Sequence, residues 1–450
     1  MNSCEQSWGW FTLLRLALVQ AALGAVAVLV TSTLNRVMII ELSLPALLPA
    51  ALVAVHYLVQ LLRPRIGYGA DRGGRSTPWI IGGMAVLALG GVLAAVATAW
   101  MMTSTVAGCA LALLAYAAVG LGIGAAGTSN LVLLTRVVAP TRRAAAATLM
   151  WCMMIAGFAV SASVAGHYLQ PFTPGRLVLV FSVAALGALL LAVLAVWNVE
   201  PRGPQRRQRP EAANGPARNG FATALRQLWD EPAARSFTVF LFVSMLAYSA
   251  QELLVESFAG RVFGFAPGAS AQLAGLQHAG VLAGMLAVAI SSAWLGARAT
   301  RGWMVAGTLG SAAAIAALAG LSLLRLSSPL PAMVFTVGLA NGTFAVAALA
   351  MMMELGAAGG RSNEGLRLGL WGAAQAVAFA IGGLASGVAV DVSRRIWPNS
   401  GTAYAAVLLL GAALFLLATH FARQAAAASA GPAGVAGTRA ALSDTIGLAA

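Results

Sequence analysis

The chain has 450 residues, 60% hydrophobic and 9% charged, with a mean hydropathy of +0.85. A soluble domain carries about 25% charged residues, so this composition excludes a water-facing surface over most of the chain and calls for a bilayer around it. The net charge of +14 comes from 27 basic side chains, all arginine; they are scattered over short loops between apolar runs, which is the positive-inside pattern and not a nucleic-acid-binding stripe.

In chain order, runs of roughly 17–25 apolar residues read as membrane spans. They fall near 13–34, 44–62, 79–100, 105–135, 144–168 and 176–198, then 236–259, 269–294, 303–323, 332–354, 366–390 and 402–421. The first is too long for a cleaved signal and is expected to be retained. Pro45 and Pro49 blur the start of the second. Between the sixth and seventh, residues 199–235 turn polar, basic and Pro-rich, the composition of a cytoplasmic linker. The expectation is an all-α membrane protein of twelve transmembrane helices, in six-helix halves at 1–198 and 236–421. The Ala/Gly-rich tail, 422–450, is expected to be disordered. With the N-terminus inside, the outer loops hold 6 arginines (Arg36, Arg176, Arg261, Arg325, Arg394 and Arg395) and the inner segments the other 21. That asymmetry predicts cytoplasmic termini.

The halves repeat. Arg36 and Arg261 are 225 residues apart, and so are Arg136 and Arg361, and Arg142 and Arg367. Two parallel six-helix repeats about an axis along the membrane normal is the major facilitator arrangement. The loop after the second span reads GYGADRGGRS, Gly67 to Ser76, and resembles the signature loop of that superfamily. In it Asp71 is suited to cap a helix N-terminus of the opposite half. Arg72 and Arg75 are suited to pair with carboxylates or lipid head groups, and Gly67 permits a tight turn. The equivalent loop of the second half, WLGARATRGW, has no acid, so such a lock would be one-sided.

Four stretches carry a narrower resemblance: TLNRVMIIELSLPA (33–46), RPRIGYGADRGGRSTPW (63–79), SAQELLVESFAGRVFGFAPG (249–268) and LWGAAQAVAFAIGGLASGVAVD (370–391). Together they resemble the PucC/LhaA branch of the superfamily, the bacteriochlorophyll-delivery and light-harvesting-assembly proteins of purple phototrophic bacteria. The resemblance implies a multi-pass protein of the bacterial inner, intracytoplasmic photosynthetic membrane. It implies bacteriochlorophyll as a transient ligand, with no tightly bound cofactor and no resident metal. Its implied partners are the lipid bilayer, light-harvesting apoproteins and pigment-synthesis enzymes, with no nucleic acid. Where relatives carry an Asp and a Pro in the seventh span, this chain has Glu252 and Ser257, which keeps the acid and leaves a kink there open.

Ionisable residues at membrane depth are functional candidates. A neutral imidazole is a suitable axial ligand for the magnesium of such a pigment, which makes His56 and His278 candidates at related heights in spans two and eight. The remaining histidines, His167 and His420, sit near interfaces and read as structural. Glu252 and Glu256 are four apart, on one face of span seven, with Arg261 following; Arg36 and Glu41 form the matching corner of the first half. These residues read as an electrostatic latch between the halves, as a pigment contact through Glu252, or as proton-coupling carboxylates. Glu354 is expected to pair with Arg361. Gly120/Gly124, Gly280/Gly284 and Gly383/Gly387 have the spacing for close helix packing. No Walker sequence, HExxH or aspartate-rich diphosphate motif occurs, which weighs against catalysis. Three functions follow as expectations: a bacteriochlorophyll-delivering assembly factor, a proton-coupled transporter of a small amphipathic solute, and a non-catalytic subunit of a bacteriochlorophyll synthase.

Overall fold

A computed structural model of the chain describes residues 10–62, 75–137, 143–200, 229–295, 297–358 and 364–430. Among these there is no strand. Helix α1 runs over Trp10–Val28 and Leu34–Ile40, with a π-helical turn at Leu29–Thr33 between the two pieces; α2 covers Leu47–Val59 and ends in a 3-10 turn, Gln60–Leu62. The first half continues with α3 (Thr77–Trp100), α4 (Thr105–Val137), α5 (Arg143–Tyr168) and α6 (Pro174–Val196). The second half opens with α7 in two pieces, Pro232–Glu252 and Val255–Phe263. It continues with α8 (Pro267–Leu295), α9 (Ala297–Leu324), α10 (Leu330–Ala358), α11 (Glu364–Ile396) and α12 (Ser400–Ala430). Eleven of these are long and apolar enough to cross a membrane. The exception is α2, which begins only at Leu47 after the turn at Pro45 and carries Pro49 in its first turn, where proline is tolerated.

Three boundaries differ from the hydropathy reading, each for a local reason. Helix α1 was expected to end at 34 but continues to Ile40, because Asn35 and Arg36 are buried and hydrogen-bonded and do not break the span. Helix α7 extends past 259 to Phe263 in the same way and stops at Gly264, whose φ of +73° ends the helix in the left-handed region. The tail expected to be disordered from 422 is helical through Ala430. Extending an existing helix needs no new nucleus, and QAAAASA is rich in the best helix former. Most of the linker, 201–228, lies outside the described residues, but Val199 and Glu200 at its start are buried against the first half.

The two halves repeat their internal packing: α1·α5 matches α7·α11, α1·α6 matches α7·α12, α3·α4 matches α9·α10, and α3·α6 matches α9·α12. Between halves, α2 packs on α11 and α5 on α8. With no hydrophobic drive between helices in lipid, small residues allow this contact. A Cβ on Gly120 would strike the backbone of His56, one on Gly280 or Gly284 that of α10, and one on Gly387 that of α2. Exposed Trp79, Trp197 and Trp229 ring the end of the bundle that carries the linker, and Trp100, Trp397 and Tyr168 the far end. That is the aromatic belt of a membrane protein at both interfaces.

Candidate functional site

At the far end the halves are joined by buried polar contacts centred on the interruptions in α1 and α7. In α7 the ladder loosens at Leu253 and Leu254, where Leu254 N–H bonds to Gln251 three residues back. The freed carbonyl of Leu253 accepts from Asn35 Nδ2 of the other half at 2.7 Å. Ser257 Oγ donates to the Leu253 and Leu254 carbonyls at 3.4 and 3.0 Å, back-bonding that bends a helix without proline. The kink left open by Ser257 is therefore present, and it separates the two glutamates expected on one face. Glu252 turns to His278, with Oε1 3.7 Å from Nε2. Glu256 crosses to the first half, where Oε1 accepts from Ser32 Oγ at 2.6 Å and Thr33 Oγ1 at 3.4 Å. Both hydroxyls are presented by the π-helical turn, a distortion that commonly marks functional positions.

Arg36 is 1% exposed. Its guanidinium pairs with Glu41 at 2.5 Å and donates across the interface to the Phe265 carbonyl at 2.5 Å and Ser270 Oγ at 3.2 Å. Gly260 makes room for it, since a Cβ there would sit 3.0 Å from a guanidinium nitrogen. Arg261 reaches the Ile39 carbonyl at 3.3 Å. The residues read as an electrostatic latch thus do join the halves, but through hydrogen bonds; among the described residues no ion pair crosses between them. Most of these groups are buried or partly buried, where a hydrogen bond left unmade is costly.

Two carboxylates that the sequence reading passed over act as helix caps. Asp391, at the end of α11, accepts from the Ala46 and Leu47 N–H groups at 2.9 Å each and so caps α2 of the other half. Glu200 accepts from the Ser76 and Thr77 N–H groups at 2.8 and 3.0 Å, capping α3, with Arg75 Nε 3.9 Å away. Each was visible as a lone acid beside an apolar run. Gly67, Asp71 and Arg72 lie outside the described residues, so the cross-half cap seen here is the one Asp391 makes at the far end. Glu354 pairs with Arg301 at 2.8 Å; Arg361 lies outside the described residues.

The two candidate histidines are not brought together. His56 is 2% exposed and its Nε2 lies 2.8 Å from Gln60 Nε2. His278 is 1% exposed, with Nδ1 2.8 Å from the Ala274 carbonyl and the ring edge-on to Phe158 of the first half. Neither lines a large cavity in the first half. That cavity, of about 1030 Å3, lies on the lipid-facing side of the first half between α1, α5 and α6. It arises because α5 and α6 both pack on α1 and touch each other little. Its floor is made of small residues such as Ala21, Ala25 and Ala188, and its rim of exposed apolar ones such as Val160 and Val183. Polar side chains collect at its far end: His167, Tyr168, Gln170 and Arg176. His167, read as structural from its position alone, is exposed and faces this space.

Comparison with known proteins places this geometry. Residues 33–429 match the family model described as PUCC protein. The chain belongs to the PUCC protein family. A Rhodobacter capsulatus relative of this PUCC protein, the bacteriochlorophyll synthase 44.5 kDa chain, is 46% identical over 93% of this chain and 96% of its own. Protein PucC of the same organism is 32% identical over 84% of this chain and 83% of its own. Among solved structures, a proton-dependent oligopeptide transporter matches with a TM-score of 0.68 at 13% identity, covering 93% of this chain and 98% of that one. A D-xylose–proton symporter matches with a TM-score of 0.67 at 13% identity, covering 90% and 97%. At such identities the likeness concerns the fold alone. The chain is thus a multi-pass membrane protein with the major facilitator fold.

Proposed function

We propose that this PUCC protein binds bacteriochlorophyll or a late precursor and hands it to light-harvesting polypeptides or pigment-synthesis enzymes in the photosynthetic membrane, without catalysing a step of synthesis itself. Family membership and the relative named as a bacteriochlorophyll synthase chain support a role tied to photosynthetic pigment. The transporter fold and the absence of a diphosphate motif from the sequence favour carriage over synthesis. The observation that carries the reading is the lateral cavity, a mainly apolar space of about 1030 Å3 on the outer side of the first half. Pockets for small molecules run to about 300–1,000 Å3 and combine apolar walls with a few polar groups. A pigment with a hydrocarbon tail is dissolved in the bilayer, so it reaches a side opening without crossing water.

The test is transfer. Pigment-loaded protein in lipid nanodiscs is mixed with pigment-free light-harvesting polypeptides, and the near-infrared absorption is followed. The reading expects the band to move to that of an assembled antenna at a rate set by the protein. A rate equal to that of pigment added in detergent alone contradicts it.

A second reading, a proton-coupled carrier of an amphipathic solute, is favoured by Glu256. Its Oε2 is buried at the interface of the halves without a hydrogen-bond partner, the placement expected of a carboxyl that exchanges a proton as the halves move. Solute uptake that acidifies the trans compartment, abolished by Glu256→Gln, would establish it; uptake indifferent to that change would remove it.

A further inference from the structure

We infer that the cavity between α1, α5 and α6 is the pigment site, with His167 as the axial ligand of the chlorin magnesium and the trough of small residues as the berth of the isoprenoid tail. This rests on the pigment-carrying reading above and names the site, the ligand atoms and the orientation. The magnesium of a chlorin has its equatorial positions filled by ring nitrogens and takes one further donor from the side. Of the histidines, His56 and His278 are buried among the helices and do not line this cavity. His167 is exposed and lines the cavity, and among the described residues its ring meets Tyr168 edge-on at 5.3 Å between centroids.

Arg176 stands beside it at the polar end. One of its nitrogens donates to the Gln170 carbonyl, and among the described residues no carboxylate pairs with it. Its remaining N–H groups are free to donate to the keto, ester or carboxylate oxygens that line the edge of a chlorin. From there the trough runs along α5 from Tyr168 to Met153 and along α6 from Arg176 to Leu191. At 1.5 Å per residue each wall is about 22 Å long, more than half of a hydrocarbon core of roughly 30 Å. Head at the interface and tail toward the bilayer centre is also how a tailed pigment lies in a leaflet, so entry needs no inversion.

Two glycines lining the trough differ in what an added side chain would meet. A Cβ on Gly157 would collide with the backbone of Ala21, whereas one on Gly187, on the exposed wall of the trough, would meet nothing within 4 Å. Gly187→Leu therefore fills the berth without disturbing the helices.

The experiment uses the full chain made in a non-phototrophic host and reconstituted in nanodiscs. It is titrated with bacteriochlorophyll a, with its magnesium-free pheophytin and with the tail-less chlorophyllide. The readouts are absorption and the resonance Raman markers of magnesium coordination. His167→Ala is expected to lose bacteriochlorophyll affinity by about tenfold or more and to lose the five-coordinate marker, with pheophytin binding unchanged. Gly187→Leu is expected to weaken bacteriochlorophyll and pheophytin, and to leave the chlorophyllide unaffected. Wild-type binding that both variants leave intact overturns the site while the carrier reading stands. A phospholipid that remains in the trough during titration, seen by native mass spectrometry, also overturns it. A wild-type chain that binds none of the three removes the carrier reading and the site with it.

Discussion

Asp391 satisfies two backbone N–H groups of α2 that α2 itself supplies no side chain to cap. A carboxylate at a helix N-terminus, partly out of water, contributes roughly 1–2 kcal/mol, and here that energy holds one half against the other. Asp391→Ala is therefore expected to loosen the far end. Cysteines placed near Ala46 and Asp391 should become more accessible to a water-soluble thiol reagent in that background; unchanged accessibility would show that the cap does not contribute to the seal. The far-end cluster of Arg36, Glu41, Glu256 and Arg261 was legible in the sequence, because charge inside apolar runs is conspicuous. Its bonding was not, since the partners are hydroxyls and carbonyls that carry no signal in a sequence. Asp391 and Glu200 escaped notice because a capping acid is defined by a partner far along the chain. That His167 faces the space between α5 and α6 was not legible either, since the gap depends on how those helices pack and not on the residue's nearness to the interface.

At the scale of elements, most spans were readable because they are long apolar runs; the second is shorter than expected, and the ends of α1 and α7 were missed because polar residues there are buried and not excluded. The interruptions in α1 and α7 recur at the same end of both halves, so the repeat extends to irregular backbone. Hydropathy does not register a π-helical turn made of Leu29–Thr33, nor a break at Leu253, since composition there is unchanged. The role of glycine as a contact residue is testable within one pair of helices. Gly157→Leu drives a side chain into the α1 backbone, and such overpacking costs about 1–3 kcal/mol. Its unfolding midpoint in detergent should drop well below that of Gly187→Leu, whose added side chain faces open space. Equal midpoints would mean that the α1–α5 contact relaxes freely.

For the whole molecule, the pseudo-symmetry is incomplete, and the proposed pigment site lies where the halves differ. The first half keeps α5 and α6 apart around a large lateral cavity, while in the second half α11 and α12 lie closer, and a pocket they line with α7 and α9 has a volume of about 40 Å3. A repeat seen in sequence predicts equal halves; unequal gaps depend on side-chain volumes summed over three helices, which no motif reports. The most direct measurement is the near-infrared absorption spectrum of the full-length protein purified in mild detergent from a phototrophic host. A bacteriochlorophyll band at a fixed ratio to protein, retained through repeated washing, is the predicted result. Protein recovered without that band from pigment-rich membranes would contradict the carrier account.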